Sequence, residues 1–171
     1  MPRYVAFLRG VSPMNAKMPE LRRCFETAGF GNVRTVLSSG NVVFDASGRS
    51  GTALARKAEA AMQASLGRSF HTLVRPLAHL QALLDADPFA ALPVPANAKR
   101  VVTFLPKPPP RELRLPIEQQ GAVILAVQGC EALTAYVPVP GKPVFMTLIG
   151  KTFGSDVTTR TWDTLKKCAA A

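Results

Sequence analysis

The side chains of this 171-residue chain best suited to chemistry are cationic and polar rather than nucleophilic. Arg9 closes an apolar stretch, and Lys17 stands just ahead of the first helical pattern. Ser39 and Asn41 flank the glycine of Ser38-Ser39-Gly40-Asn41, and Arg160 lies within Thr158-Thr159-Arg160-Thr161-Trp162. A guanidinium holds a phosphate or carboxylate through two parallel hydrogen bonds, an ammonium adds a point charge, and hydroxyl and amide groups complete the shell. Together they suit a small anionic, phosphate-bearing ligand, with no metal and no cofactor implied. Each residue also has a plainer reading. Arg9 can merely flank a strand, Asn41 can close an Asx-type turn, Ser39 can bond its own backbone, and Thr159 or Thr161 can cap a last helix that Trp162 anchors.

Other chemistries find few residues. The histidines are His71 and His79, read as a strand and a helix position, and neither belongs to an HExxH pattern or stands beside a cysteine pair. No GxSxG, GxGxxG or GxxxxGK[ST] occurs, and Asp85 and Asp87 before Pro88 read as a helix end rather than an acid/base pair. The cysteines, Cys24, Cys130 and Cys168, are odd in number and far apart, which argues against a disulfide framework or a structural zinc site. Cys24 falls on an apolar helix face and reads as a small buried hydrophobe.

The elements that must position these residues follow from spacing. Arg3–Leu8 (RYVAFL) reads as a strand. Pro19 opens a helix with Leu21, Cys24, Phe25 and Ala28 on one face and Gly29 as its stop. Val33–Leu37 and Val42–Asp45 form a hairpin about Ser38–Asn41. Ser50 caps a helix running to Leu66, Gly67 ends it, and Phe70–Arg75 returns as a strand. The order βαββαβ is the ferredoxin-like split βαβ arrangement. In it, the end of the first strand, the start of the first helix and the hairpin share one rim, so Arg9, Lys17, Ser39 and Asn41 are expected together, with free amides at the helix start.

A helix over Leu77–Ala86 follows, and Ala90–Ala98, with Pro93 and Pro95, reads as a linker. Arg100–Leu105 (RVVTFL) then echoes the first strand. Beyond it come a proline-rich turn at Pro106–Pro110, a short helix interrupted at Pro116, strands near Val123–Val127 and Leu133–Val137, a helix through Phe145–Phe153, and a last helix carrying Trp162 and Leu165. The expected fold is α+β, with two ferredoxin-like subdomains and mainly antiparallel sheets: 1–89, a linker at 90–98, and 99–171.

Taken together, Tyr4-Val5-Ala6-Phe7-Leu8-Arg9-Gly10, Lys17 and Leu21, Ser38-Ser39-Gly40-Asn41-Val42-Val43-Phe44, and Thr158 to Thr164 resemble the bacterial domain-of-unknown-function 1697 family. The resemblance implies an intracellular bacterial protein of two related α+β subdomains and brings no established activity. Where many such proteins have a glycine-rich stretch after Arg-Gly, this chain has Val11-Ser12-Pro13-Met14-Asn15, and Pro13 offers no N–H to a phosphate.

The net charge is +10, from 21 basic and 11 acidic residues. Residues 1–98 carry 11 basic and 6 acidic side chains and residues 99–171 carry 10 and 5, so the excess is evenly spread and no basic tail exists. Such a field favours anions. An RNA-recognition platform needs aromatics two apart on the third strand. Asn41–Asp45 has only Phe44, leaving non-specific attraction to nucleic acid as the partner reading of that kind. No run reaches membrane-span length and no signal-peptide core develops before Arg9, so the expected location is cytoplasmic. Binding of a small anion leads. An enzyme acting on such a ligand, which would lack an evident general base, a non-specific nucleic-acid binder and an oligomeric interaction module stand as alternatives.

Overall fold

The computed structural model describes residues 1–48 and 50–171. By contacts the chain divides into one unit of residues 1–85 with 164–171 and a second of residues 86–163.

In the first unit, β1 (Arg3–Leu8), α1 (Met18–Thr27), β2 (Gly31–Val36), β3 (Asn41–Asp45), α2 (Gly51–Leu66) and β4 (Thr72–Pro76) build an antiparallel sheet of order β2-β3-β1-β4. This is the expected split βαβ plan. β1 is central because it is apolar on both faces, with Tyr4 to Leu8 all buried. Tyr4, Ala6 and Leu8 face α1 and α2, where Leu21, Phe25, Leu54, Ala58 and Met62 complete a core with Phe30 and Phe44. Ser50 caps α2 by accepting from the Ala53 N–H at 3.1 Å, and Gly67 ends it at φ 72°. α3 (Leu77–Ala86) follows with Leu77, Leu80 and Leu83 buried. His71 lies just before β4 rather than within it and is exposed.

In the second unit, a 3-10 turn (Pro88–Ala91) leads to β5 (Lys99–Phe104), β6 (Ile117–Gln119), β7 (Ala122–Gln128), β8 (Glu131–Tyr136), α4 (Val144–Phe153) and β9 (Thr158–Thr161), in the order β6-β7-β8-β5-β9. Set β6 aside and the order repeats that of the first unit, with β5 in the place of β1. The short helix expected near Pro116 is absent. Proline removes amide donors and disfavours helical backbone at the residue before it, so Pro106 to Pro116 run from β5 to β6 as irregular chain. α4 is thus the only helix between strands here, and it packs over β6 and β7. Thr158–Thr161, a segment in which Thr159 or Thr161 is expected to cap the last helix, form a strand paired to β5 that runs directly into that helix, with Thr103 opposite Thr159 and Val101 opposite Thr161. α5 (Trp162–Ala169) begins at once, and residues from 164 onward group with the first unit, where the Ala171 carbonyl accepts from Arg3 Nε at 3.3 Å.

Candidate functional site

The rim of the first unit is built by β1 and the hairpin. The Leu8 N–H donates to the Gly40 carbonyl at 2.8 Å, and the Arg9 N–H donates to the His71 carbonyl at 2.9 Å, so the chain emerges from β1 between the hairpin tip and the start of β4. Gly40 has φ 89°, and a Cβ there would stand 2.9 Å from Val11 Cβ and 3.0 Å from Leu8 Cβ. The loop after β1 is therefore seated directly on the hairpin, which brings Arg9, Ser39 and Asn41 to one end of the sheet.

These groups are presented differently. The Asn41 side chain is fully buried. Its Nδ2 donates to the Val36 carbonyl at 2.9 Å and to Ser39 Oγ at 3.0 Å, so it holds the turn and orients the Ser39 hydroxyl. Ser39, Arg9 and Lys17 are exposed. Among the described residues the side chains of Arg9 and Lys17 have no ion-pair or hydrogen-bond partner.

Backbone amides contribute less than the sequence suggests. The Ser12 N–H donates to Asn15 Oδ1 at 2.9 Å, the Met14 N–H to Ser12 Oγ at 3.3 Å, and the Asn15 and Ala16 N–H groups to the Ser12 carbonyl at 3.1 Å. Asn15 Nδ2 then ties back to the Gly10 carbonyl at 2.8 Å. At the start of α1, Pro19 has no N–H, and the Glu20 and Leu21 amides both donate to the Lys17 carbonyl at 3.1 Å. The free amides expected there are largely spent, so the rim offers side-chain charge on a loop held by its own hydrogen bonds.

Arg160 belongs to the second unit, on β9, where it is half-buried and its Nη1 donates to the Thr159 carbonyl at 2.8 Å. The opposite register positions, Thr159 and Thr161, face the other side of that sheet. There they line a cleft of about 290 Å³ with Val101, Ala122, Tyr136, the Val137–Pro143 loop and the first residues of α4. Sequence reasoning missed this cleft. The only local signal is the Pro140-Gly141 turn, since the walls come from separate elements.

Three features bear on the remaining chemistries. Tyr4, Phe7 and Phe44 are buried, with Tyr4 and Phe44 stacked at 5.9 Å inside the core, so none presents a face for a nucleic-acid base. Burial pushes the Cys24 thiol above its ordinary value, against a smaller opposing pull from the Ser65 hydroxyl, which suits a structural thiol. Among the described residues no group of three or more His, Cys, Asp or Glu side chains could hold a metal ion, and no helix is long and apolar enough to cross a membrane.

The family model described as "Protein of unknown function (DUF1697)" matches residues 1–127, nearly three quarters of the chain. The chain belongs to the DUF1697 family. The matched stretch of this DUF1697 protein holds the whole Arg9–Asn41 rim and stops before Tyr136. No curated protein matches it. Among solved structures it is similar to the conserved bacterial protein SP0830 from Streptococcus pneumoniae, at 18% identity and a TM-score of 0.62, over 99% of this chain and 97% of that one. At that identity the likeness concerns the fold alone.

Proposed function

We propose that this DUF1697 protein binds a small phosphate-bearing anion at the rim of its first unit, through the Arg9 guanidinium and the Lys17 ammonium. The observation that carries the reading is the state of these two cations. They bracket a loop whose conformation is set by its own hydrogen bonds, both are exposed, and neither is neutralised by a carboxylate among the described residues. The Ser39 hydroxyl, which accepts from Asn41, lies at the same end of the sheet as Arg9. With the loop amides engaged, affinity comes from side-chain charge in high dielectric, so binding is modest and weakens with salt. Asn41 acts here by holding the turn, and Arg160 enters only if its removal weakens binding.

The test is isothermal titration of inorganic phosphate, mononucleotides and sugar phosphates against the full chain and its variants. Arg9→Ala is expected to weaken binding about tenfold, the loss of one charge-assisted bidentate contact. Lys17→Ala should weaken it several-fold, and Arg160→Ala should lower stability with affinity unchanged. Affinity equal to wild type in both Arg9→Ala and Lys17→Ala would sink the reading. Tight binding of oligonucleotides with a steep salt slope, but none of mononucleotides, would favour the nucleic-acid alternative.

A further inference from the structure

We infer that the cleft of the second unit is a separate binding site for a compact carboxylate whose body is about one aromatic ring. An apolar cavity of about 150 Å³ holds benzene, so the 290 Å³ here has room for a ring and a short acid-bearing arm. Val101 and Ala122 belong to the apolar core beneath, and Tyr136 and Phe145 form an aromatic wall, their rings stacked with centroids 4.5 Å apart and planes at 15°. This is the wall of a small-molecule pocket, predominantly apolar with a few polar groups to fix orientation.

The charge at the cleft selects the headgroup. Lys142 is the one ionisable cation among the lining residues, no carboxylate lines the cleft, and Lys142 has no ion-pair partner among the described residues. Its place is set by a tight turn, in which the Lys142 N–H donates to the Val139 carbonyl at 3.2 Å with Gly141 at φ 71°. Pro140 before Gly141 is the pairing a type II turn favours, and Pro138 and Pro143 stiffen the loop on either side. The Lys142 backbone is thereby held at the mouth before binding, so only its side chain remains to be ordered there. On the far wall, Thr159 and Thr161 carry hydroxyl groups. One ammonium suits a monoanion, and the apolar wall suits a ring.

Two other grooves lack this combination. The one beside Pro108 to Pro110 carries Arg111 with Glu112, and the one between α1 and α2 carries Arg23 with Glu20, so neither is biased toward an anion. The inference is independent of the Arg9 rim.

The experiment is a titration of the full-length protein, labelled for amide correlation spectra, with 3-phenylpropionate and with its neutral amide. Expected are saturable shifts confined to residues 101, 122, 136–146 and 159–161, with the amide bound about tenfold more weakly than the acid. Lys142→Met, a change at an exposed position, should remove that difference by weakening the acid alone. Val101→Tyr, which puts into the cleft the bulk that Tyr4 supplies at the matching place in the first unit, should abolish binding of both. Arg9→Ala should leave every titration unchanged. Absent or non-saturating shifts, shifts scattered outside the cleft, or acid binding in Lys142→Met equal to wild type would each overturn the proposal.

Discussion

The two units share a strand order and differ in what covers the sheet. Their central strands, RYVAFL and RVVTFL, agree at Arg3/Arg100, Val5/Val102, Phe7/Phe104 and Leu8/Leu105, and differ at Tyr4/Val101 and Ala6/Thr103. Both differing positions lie on the face turned toward the helices. In the first unit Tyr4 stacks on Phe44 beneath α1 and α2. In the second, Val101 is smaller, and Thr103 lies beside Thr134, whose hydroxyl donates to the Val101 carbonyl at 2.6 Å and stands 3.4 Å from the Thr103 hydroxyl. Those hydroxyls are satisfied within the sheet, so that face needs less apolar cover to be stable. The proline segment replaces one crossover helix, α4 packs over β6 and β7, and the cleft opens between the first residues of α4 and the strands β5 and β9. The strand order of a split βαβ unit thus survives loss of a helix, and the residues of the helix-facing side record that loss.

The comparison is sharpened most by removing the first unit's aromatic filling. Phe44 packs against Phe30, Phe25 and Tyr4, with ring centroids 4.3, 5.5 and 5.9 Å away. Phe44→Ala should cost about 3–5 kcal/mol in urea unfolding, the range for a large aromatic lost from a core that cannot collapse. A cost below about 1 kcal/mol would mean the first unit tolerates an open face as the second does, and the contrast drawn above would fail.

The hairpin turns offer a smaller and more local contrast. Gly40, between β2 and β3, and Gly129, between β7 and β8, both have positive φ, at 89° and 61°. A Cβ at Gly40 meets Val11 and Leu8 at about 3 Å, whereas at Gly129 it meets nothing within 4 Å. Gly129→Ala should therefore cost only the left-handed backbone penalty, about 1 kcal/mol. Gly40→Ala adds overpacking, for about 2–3 kcal/mol in all. Equal losses in chemical denaturation would show that the loop after β1 is not clamped on the hairpin.

How much of this was legible follows from where each signal resides. β1, α1, β3 and α2 announce themselves locally, through an apolar run, an i, i+3, i+4, i+7 stripe, and the Ser50 and Gly67 stops. β9 does not, because Thr158 to Thr161 carry no apolar alternation and become a strand only by pairing with β5. The second unit's missing helix is foreshadowed by Pro106 to Pro110 and by Pro116, which remove amide donors along that segment. At the rim, Gly40 and Asn41 are recognisable as turn residues. That Asn15 and the Lys17 carbonyl consume the neighbouring amides depends on how the loop closes. The cleft is the least legible feature, since it is a space left between elements and has no motif of its own.

The smallest expected effect concerns the two arginines that the strands share. Arg100 lies over the Phe89 ring at 6.0 Å, whereas Arg3 Nη1 donates to Asp45 Oδ1 at 2.8 Å and Asn32 Nδ2 donates to Asp45 Oδ2 at 2.7 Å. The Asn32 amide first and Arg3 second hold the Asp45 carboxyl below the usual carboxylate value. A depressed folded-state value means that Asp45 contributes stability above its unfolded value, about 3.9, and loses it as pH falls through the lower folded value. Asp45→Asn should therefore cost less than about 1 kcal/mol at pH 7, since the pair is partly solvated. That difference from wild type should close below about pH 4. Arg100→Met removes a cation from a ring rather than from a carboxylate, so its effect should not vary across the same window. Parallel pH dependence in the two variants would show that the shared arginine does the same work in both units, against the division of roles seen in the structure.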